Sequence, residues 1–241
     1  MLLENLRADL EQAGNSQKAK IHQRFFKTGK GEYGEGDIFL GIVVPIQRMI
    51  AKRYIDLKLQ DLQVLLNSKI HEYRLVALLI LIDKYRQTTR LRTKDNEASA
   101  RQEEIVNFYL KNTKNINNWD LVDLSCRDIL GAYLFDKKRD VLYKLARSKN
   151  LWEKRIAMIS TWWFIREKQF GDTIKIAEIL LKDKHDLIHK AVGWMLREVG
   201  KKDQKVLEKF LDKYSKIMPR TALRYAIEKF EKKEREKWLY G

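Results

Sequence analysis

Three ten-residue stretches of the chain, HEYRLVALLI from His71, LWEKRIAMIS from Leu151 and LIHKAVGWML from Leu187, can be laid over one another. Each carries a basic residue (Arg74, Arg155, Lys190), then an apolar run holding one small residue, Ala77, Ala157 or Gly193. A small residue at that depth lets a neighbouring helix approach closely. Helix starts near His71, Asn118, Leu151, Asp186 and Met218 fall roughly 32 to 47 residues apart, the spacing of helix-pair solenoids. Each follows a more amphipathic partner segment. Apolar residues recur at helical spacing almost everywhere, alternating runs are nearly absent, and only two prolines and eleven glycines interrupt the chain. The expectation is an all-α fold, a HEAT-like or armadillo-like helical repeat solenoid with a concave basic face, built as one domain over residues 1–241. The one sizeable interruption, Lys27 to Pro45, is glycine-rich and predicts an ordered loop or a short extended stretch; Gly31, Gly34 and Gly36 follow no strand and make a poor dinucleotide fingerprint.

Charge narrows the partner. Lys and Arg number 49 against 33 Asp and Glu, a formal net charge of +16, and such an excess favours a polyanion through counterion release. The basic residues are spread along the chain, among them Lys18, Lys20, Arg24 and Lys27, then Arg92 and Lys94, then Lys137 to Arg139 and Lys201 to Lys205. That spread suggests a charged face of a folded body rather than a tail. The single cysteine, Cys126, allows no internal disulfide and reads as a packed thiol. No apolar run is long enough to cross a membrane, and no secretion signal opens the chain, so a cytoplasmic, monomeric protein with no membrane partner is expected. The four histidines include the i, i+4 pair His185 and His189 but no metal-ligand pattern; they read as surface or helix-end residues, with no metal and no cofactor expected.

Chemistry is suggested by NINNWDLVDLSCRDIL, Asn115 to Leu130. Trp119 and Asp123 are four apart and share one helix face, whereas Asp120 is turned away and reads as an early-turn acid complementing the helix dipole. The ordinary partner of Asp123 is Arg127 at i+4. Two later units repeat the juxtaposition: Trp152 lies three before Arg155, and Trp194 lies on the basic face of Lys190 and Arg197, one turn before Glu198. Tryptophans at helical spacing are usually core, as expected for Trp162 or Trp163. Three units that each set a tryptophan beside a charge ask for more than packing. Indole faces bind flat cations, and a carboxylate supplies the complementary charge. Inside a basic groove, such a pocket selects a base made cationic by alkylation, a good leaving group needing no general acid. Asp123 would then stabilise the oxocarbenium-like sugar and orient water, while Arg155 holds phosphate.

NNWDLVD, LWEKRIA, IHKAVGWMLRE and GEGDIFLGIVVPIQR together resemble the DNA alkylation repair family of AlkD-like DNA glycosylases over most of the chain. The resemblance implies HEAT-like repeats wrapped around duplex DNA containing alkylated bases, and metal-free hydrolytic excision of N3- and N7-alkylpurines, a base excision repair step. It places the catalytic aspartate on Asp123, the stacking tryptophans on Trp119 and Trp194 and the DNA-contacting arginine on Arg155. Trp152 joins the substrate-binding set, and Lys190 and Arg197 join Arg155 in the DNA-binding set. Asn118 stands where members of the family often carry a second tryptophan, and the glycine-rich lead-in is longer than in some relatives; both bear on lesion preference. A non-catalytic HEAT-like scaffold for nucleic acid or a protein partner explains fold and charge equally well, but gives no reason for a carboxylate facing tryptophan in a basic groove.

Overall fold

The computed structural model describes residues 1–90 and 96–240, with the side chain of Arg90 omitted, so Arg92 and Lys94 of the basic spread lie outside the described residues. The described chain is helical, with no strand; its one β-bridge joins Ile38 to Ile70. It divides into two compact units, Met1–Ser125 and Cys126–Gly241.

The first unit holds α1 (Leu2–Gln12), α2 (Ser16–Phe25), α3 (Val44–Arg53), α4 (Leu59–Leu66), α5 (His71–Arg90), α6 (Asn96–Lys111) and α7 (Trp119–Ser125). α5 is its axis. Every residue from Leu75 to Ile82 is buried, so this stretch is apolar all round, as a helix must be when neighbours cover every side. Those neighbours are α1, α3, α4, α6 and α7. The second unit holds α8 (Asp140–Ala146), α9 (Leu151–Ser160), α10 (Trp162–Arg166), α11 (Gly171–Leu180), α12 (Asp186–Lys202), α13 (Gln204–Tyr214), α14 (Arg220–Ala226) and α15 (Lys232–Tyr240). α9 and α12 take the axial role there, packed on each other and on α11.

The repeat read from the sequence is present. α5, α9 and α12 open at His71, Leu151 and Asp186, each after a shorter partner (α4, α8, α11), while α7 opens at Trp119 and α14 at Arg220 after the longer α6 and α13. Local chemistry sets several starts: the Asn150 side chain accepts from the amides of Trp152 (2.8 Å) and Glu153 (3.4 Å), and His185 Nδ1 accepts from Leu187 (3.1 Å). These side chains satisfy amides that the first helical turn leaves without partners.

Of the three small residues, Gly193 is the one at which a close helix approach is seen. Ala77 and Ala157 are buried, and a Cβ built on Gly193 would collide with the Ala222 carbonyl oxygen and lie 2.5 Å from Tyr225 Cβ. α12 and α14 can therefore touch only because Gly193 has no side chain. Gly193→Ala should cost about 1–3 kcal/mol through overpacking, measured as a lowered urea midpoint; an unchanged midpoint would show that α14 yields freely.

The glycine-rich interruption is an ordered loop. Gly31, Gly36 and Gly41 hold φ of +78°, +85° and +80°, left-handed values that cost other residues steric energy. The loop is held from below by Glu72, one residue into α5. Its carboxylate, 1% exposed, accepts from the amides of Leu40 (2.9 Å), Gly41 (2.8 Å) and Ile42 (3.2 Å).

Candidate functional site

In the first unit, α7 is short and bound to its neighbours along one side. Asp120, Leu121, Val122 and Ser125 are buried, and Ser125 Oγ donates to the Leu121 carbonyl (2.5 Å) while meeting Tyr109 Oη of α6 at 3.0 Å. The other side carries Trp119 and Asp123, both partly exposed. Their four-residue separation puts them one turn apart on one face, as the sequence indicated. The Trp119 indole stacks on Phe26, with ring centroids 5.2 Å apart and planes at 22°, and meets Phe25 edge-on at 5.8 Å. Phe26 in turn stacks on Phe39 at 5.0 Å and 12°. Phe25 is 62% exposed and Phe39 only 5%, so the aromatic column runs from the surface into the loop described above. Phe39 thus packs rather than faces solvent.

Asp120 is the first-turn acid of α7 that the sequence indicated, its Oδ1 accepting from the Leu121 amide at 2.8 Å, but it is also buried at 6% exposure, with its Oδ2 2.8 Å from His71 Nε2. His71 opens a helix, as expected of a helix-end histidine, but is only 1% exposed. Its Nδ1 faces Asp37 Oδ2 at 3.4 Å, and the same Asp37 oxygen pairs with Arg74 Nη2 at 2.6 Å. Arg74 also donates to the Ser68 carbonyl (2.8 Å). A buried charge demands such pairing, since desolvation alone would neutralise it. Burial pushes the Asp37 carboxyl up, but hydrogen bonding to His71 and the charge of Arg74 outweigh it and hold the pKa below the ordinary value. Burial likewise opposes charge on His71, and the Asp120 and Asp37 carboxylates overcome it, leaving the imidazole pKa raised. The signal available in the sequence was the placement of His71, Glu72 and Arg74 directly before the continuous apolar run Leu75–Ile82.

In the second unit, Arg155 and Trp152 sit on α9 and Lys190, Trp194 and Arg197 on α12. Trp194 is partly exposed. Arg155 is 5% exposed and donates from Nη1 to the Leu187 carbonyl at 2.6 Å, tying α9 to the first turn of α12. Trp152 is also buried, at 7%. Both are thus far less open than residues on a solvated groove wall, because α9 is an axial helix of its unit. Lys190 pairs with Asp186 at 2.7 Å, with its side chain 40% exposed. Arg197 pairs with Glu198 at 3.5 Å and with Glu228. Arg127 lies over the Trp162 ring at 4.8 Å, and Arg166 over Trp163 at 4.1 Å; both tryptophans are partly exposed, so they serve as cation platforms rather than core. Cys126 is buried, as a packed thiol should be.

Beyond α7 the chain makes a single π turn, Arg127–Gly131, closed by Gly131 N–H donating to the Cys126 carbonyl at 2.9 Å. Such turns accommodate one extra residue within a helix and recur at functional sites. A hollow of about 730 Å³ in the first unit is lined by Leu59, Gln63, Asn107 and Phe108 among others; it includes none of the aromatic or carboxylate residues above.

The sequence profile described as "DNA alkylation repair enzyme" matches residues 6–230. The chain belongs to that family. Membership places it in DNA alkylation repair, and the match reaches into both units, leaving out only residues 1–5 and 231–241. A solved structure with the same fold is the "Predicted DNA alkylation repair enzyme from Enterococcus faecalis", with a TM-score of 0.71 at 18% sequence identity, covering 91% of this chain and 97% of that one. No curated protein matches the chain. Among the described residues no helix is long and apolar enough to cross a membrane.

Proposed function

We propose that the protein is a monofunctional DNA glycosylase that hydrolyses the N-glycosidic bond of cationic N3- and N7-alkylpurines in duplex DNA, acting as a cytoplasmic monomer. The observation that carries this reading is the pairing on α7: a partly exposed carboxylate, Asp123, one turn from a partly exposed indole, Trp119, on a chain of net charge +16. Phosphate alone would select against a carboxylate on a DNA-facing surface. A positive base selects for it.

Chemistry follows from the substrate's own charge. As the bond from C1′ to the purine nitrogen breaks, its electron pair goes to the base, which leaves neutral. Positive charge moves to the sugar, where Asp123 stabilises it at close range. Water then adds to C1′ and gives up its proton, with the same carboxylate as the acceptor that orients it. No acid is needed to activate the leaving group. Trp119 supplies a π-face to the cation, worth about 0.5–2 kcal/mol; Trp194, in the second unit, is a stacking residue of that unit in this reading.

Lys190, Arg197 and Arg155 contact the DNA backbone in this reading, and Trp152, buried on α9 three residues before Arg155, is assigned to substrate binding. The Lys190–Asp186 pair does not prevent this, because the Lys190 side chain is 40% exposed, exposed pairs are worth about 1 kcal/mol or less, and a phosphate can replace the carboxylate. Lys190→Ala should weaken duplex binding about equally for all sequences and reduce the slope of log affinity against log salt by about 1, read by fluorescence anisotropy; an unaltered slope removes Lys190 from the contact set. The test of the activity itself is release of N7-methylguanine and N3-methyladenine from methylated duplex DNA, resolved by chromatography. Absence of release from the wild-type protein overturns the assignment.

A further inference from the structure

We propose that His71 is a positioning residue for the α7 turn that carries Trp119 and Asp123, acting as a doubly hydrogen-bonded imidazolium clamped between Asp37 and Asp120. This inference rests on the roles given to Trp119 and Asp123 above. The geometry joins His71 to that turn by two routes. One is the 2.8 Å contact from Nε2 to Asp120, the residue directly after Trp119. The other is the aromatic column: the imidazole stacks on Phe39 at 4.5 Å and 22°, lies 5.1 Å from Phe26, and Phe26 stacks on Trp119. A single buried ring therefore sets both the rotation of the first turn of α7 and the plane against which the indole rests.

Hydrogen-bond inventory fixes the state of the ring. An ionised carboxylate only accepts, and each ring nitrogen faces one, so both nitrogens must donate, which only the imidazolium does. Charge agrees: Asp37 and Asp120 are balanced by Arg74 and a protonated His71, whereas a neutral ring would leave one buried carboxylate uncompensated. The other ionisable pair nearby is His22 with Glu72 at 3.9 Å; His22 meets the Phe39 ring edge-on at 5.9 Å. The group's native pKa is raised above 6.5, so its stabilising contribution is full below that value and lost as pH rises through the native pKa.

The consequence is a specific kinetic defect. Misplacing a reacting group by about 1 Å costs on the order of 100-fold in rate. His71→Gln, which keeps a donor but cannot serve two carboxylates, should slow single-turnover release of N7-methylguanine by about 10- to 100-fold with duplex affinity within about twofold. Asp120→Asn added to His71→Gln removes the stranded negative charge and should recover part of the rate. On the alkaline side, the wild-type rate should fall as His71 loses its proton, and the His71→Gln profile should lack that limb. Wild-type protein carrying 5-fluorotryptophan gives a reading independent of base release: the Trp119 resonance, assigned with Trp119→Phe, should shift in His71→Gln while the other indole signals stay in place.

The outcomes separate. If the wild type releases no base, the glycosylase reading fails, while the fluorine spectrum still decides the clamp. Release with an unmoved Trp119 signal and an unaltered rate in His71→Gln overturns the clamp alone. Should His71→Gln not fold, the nitrogen-15 spectrum of the wild-type imidazole decides at pH 7: two protonated ring nitrogens support the proposal, and a neutral ring overturns it.

Discussion

Asp123→Asn protein should release N7-methylguanine from methylated duplex DNA about 100- to 1,000-fold more slowly than the wild type, a loss of roughly 3–4 kcal/mol of transition-state stabilisation. The substitution keeps the size and planarity of the side chain and removes only its charge. Interactions that strengthen as the bond breaks affect the rate, and the developing positive charge on the sugar is such a partner for an anion. An amide also cannot accept a proton from the attacking water. Binding should move in the other direction or stay put, since a negative group facing phosphates opposes the chain's overall attraction for DNA. Slow release with retained affinity is therefore the signature. A variant that releases base at the wild-type rate would take Asp123 out of the mechanism.

Glu72→Ala should lower the stability of the protein by about 3–5 kcal/mol, as removing one member of a buried charged network does. Three backbone amides, Leu40, Gly41 and Ile42, give their hydrogens to this one carboxylate, and alanine offers them nothing while no water replaces it in a side chain only 1% exposed. Against a typical total of about 5–15 kcal/mol, that is a large fraction. Glu72→Gln should be milder, because one oxygen still accepts. Urea melts of both variants, with hydrogen exchange at residues 40–42, provide the measurement; a loss below about 1 kcal/mol for the alanine variant would mean the loop finds other acceptors.

Much of the fold was legible because helices announce themselves by period and by small residues. His71, Leu151 and Asp186 open helices where the repeat predicted them, and Gly193 sits at a close helix contact. Local pattern also placed Trp119 and Asp123 together, since four residues make a turn. What pattern could not provide was pairing across long stretches of chain. Asp120 finds His71 across 49 residues and Leu40 finds Glu72 across 32, and nothing in either neighbourhood names the other. Hence Asp120 looked like an ordinary first-turn acid and His71 like a surface histidine. Arg155 shows the same limit: its bond to the Leu187 carbonyl, 32 residues further on, cannot be read from the amphipathic stretch in which it sits.

The π turn carries a consequence for how this chain can vary. Gly131 ends that turn, and a Cβ there would strike the Ser160 carbonyl oxygen and approach the Trp163 Cβ to 3.3 Å. Removing one residue between Cys126 and Gly131 would let the segment relax into an α-helix, but everything after it would rotate by about 100°, and a bulkier residue would arrive where only hydrogen fits. Lineages descended from such a chain can thus exchange side chains along this stretch while its length stays fixed.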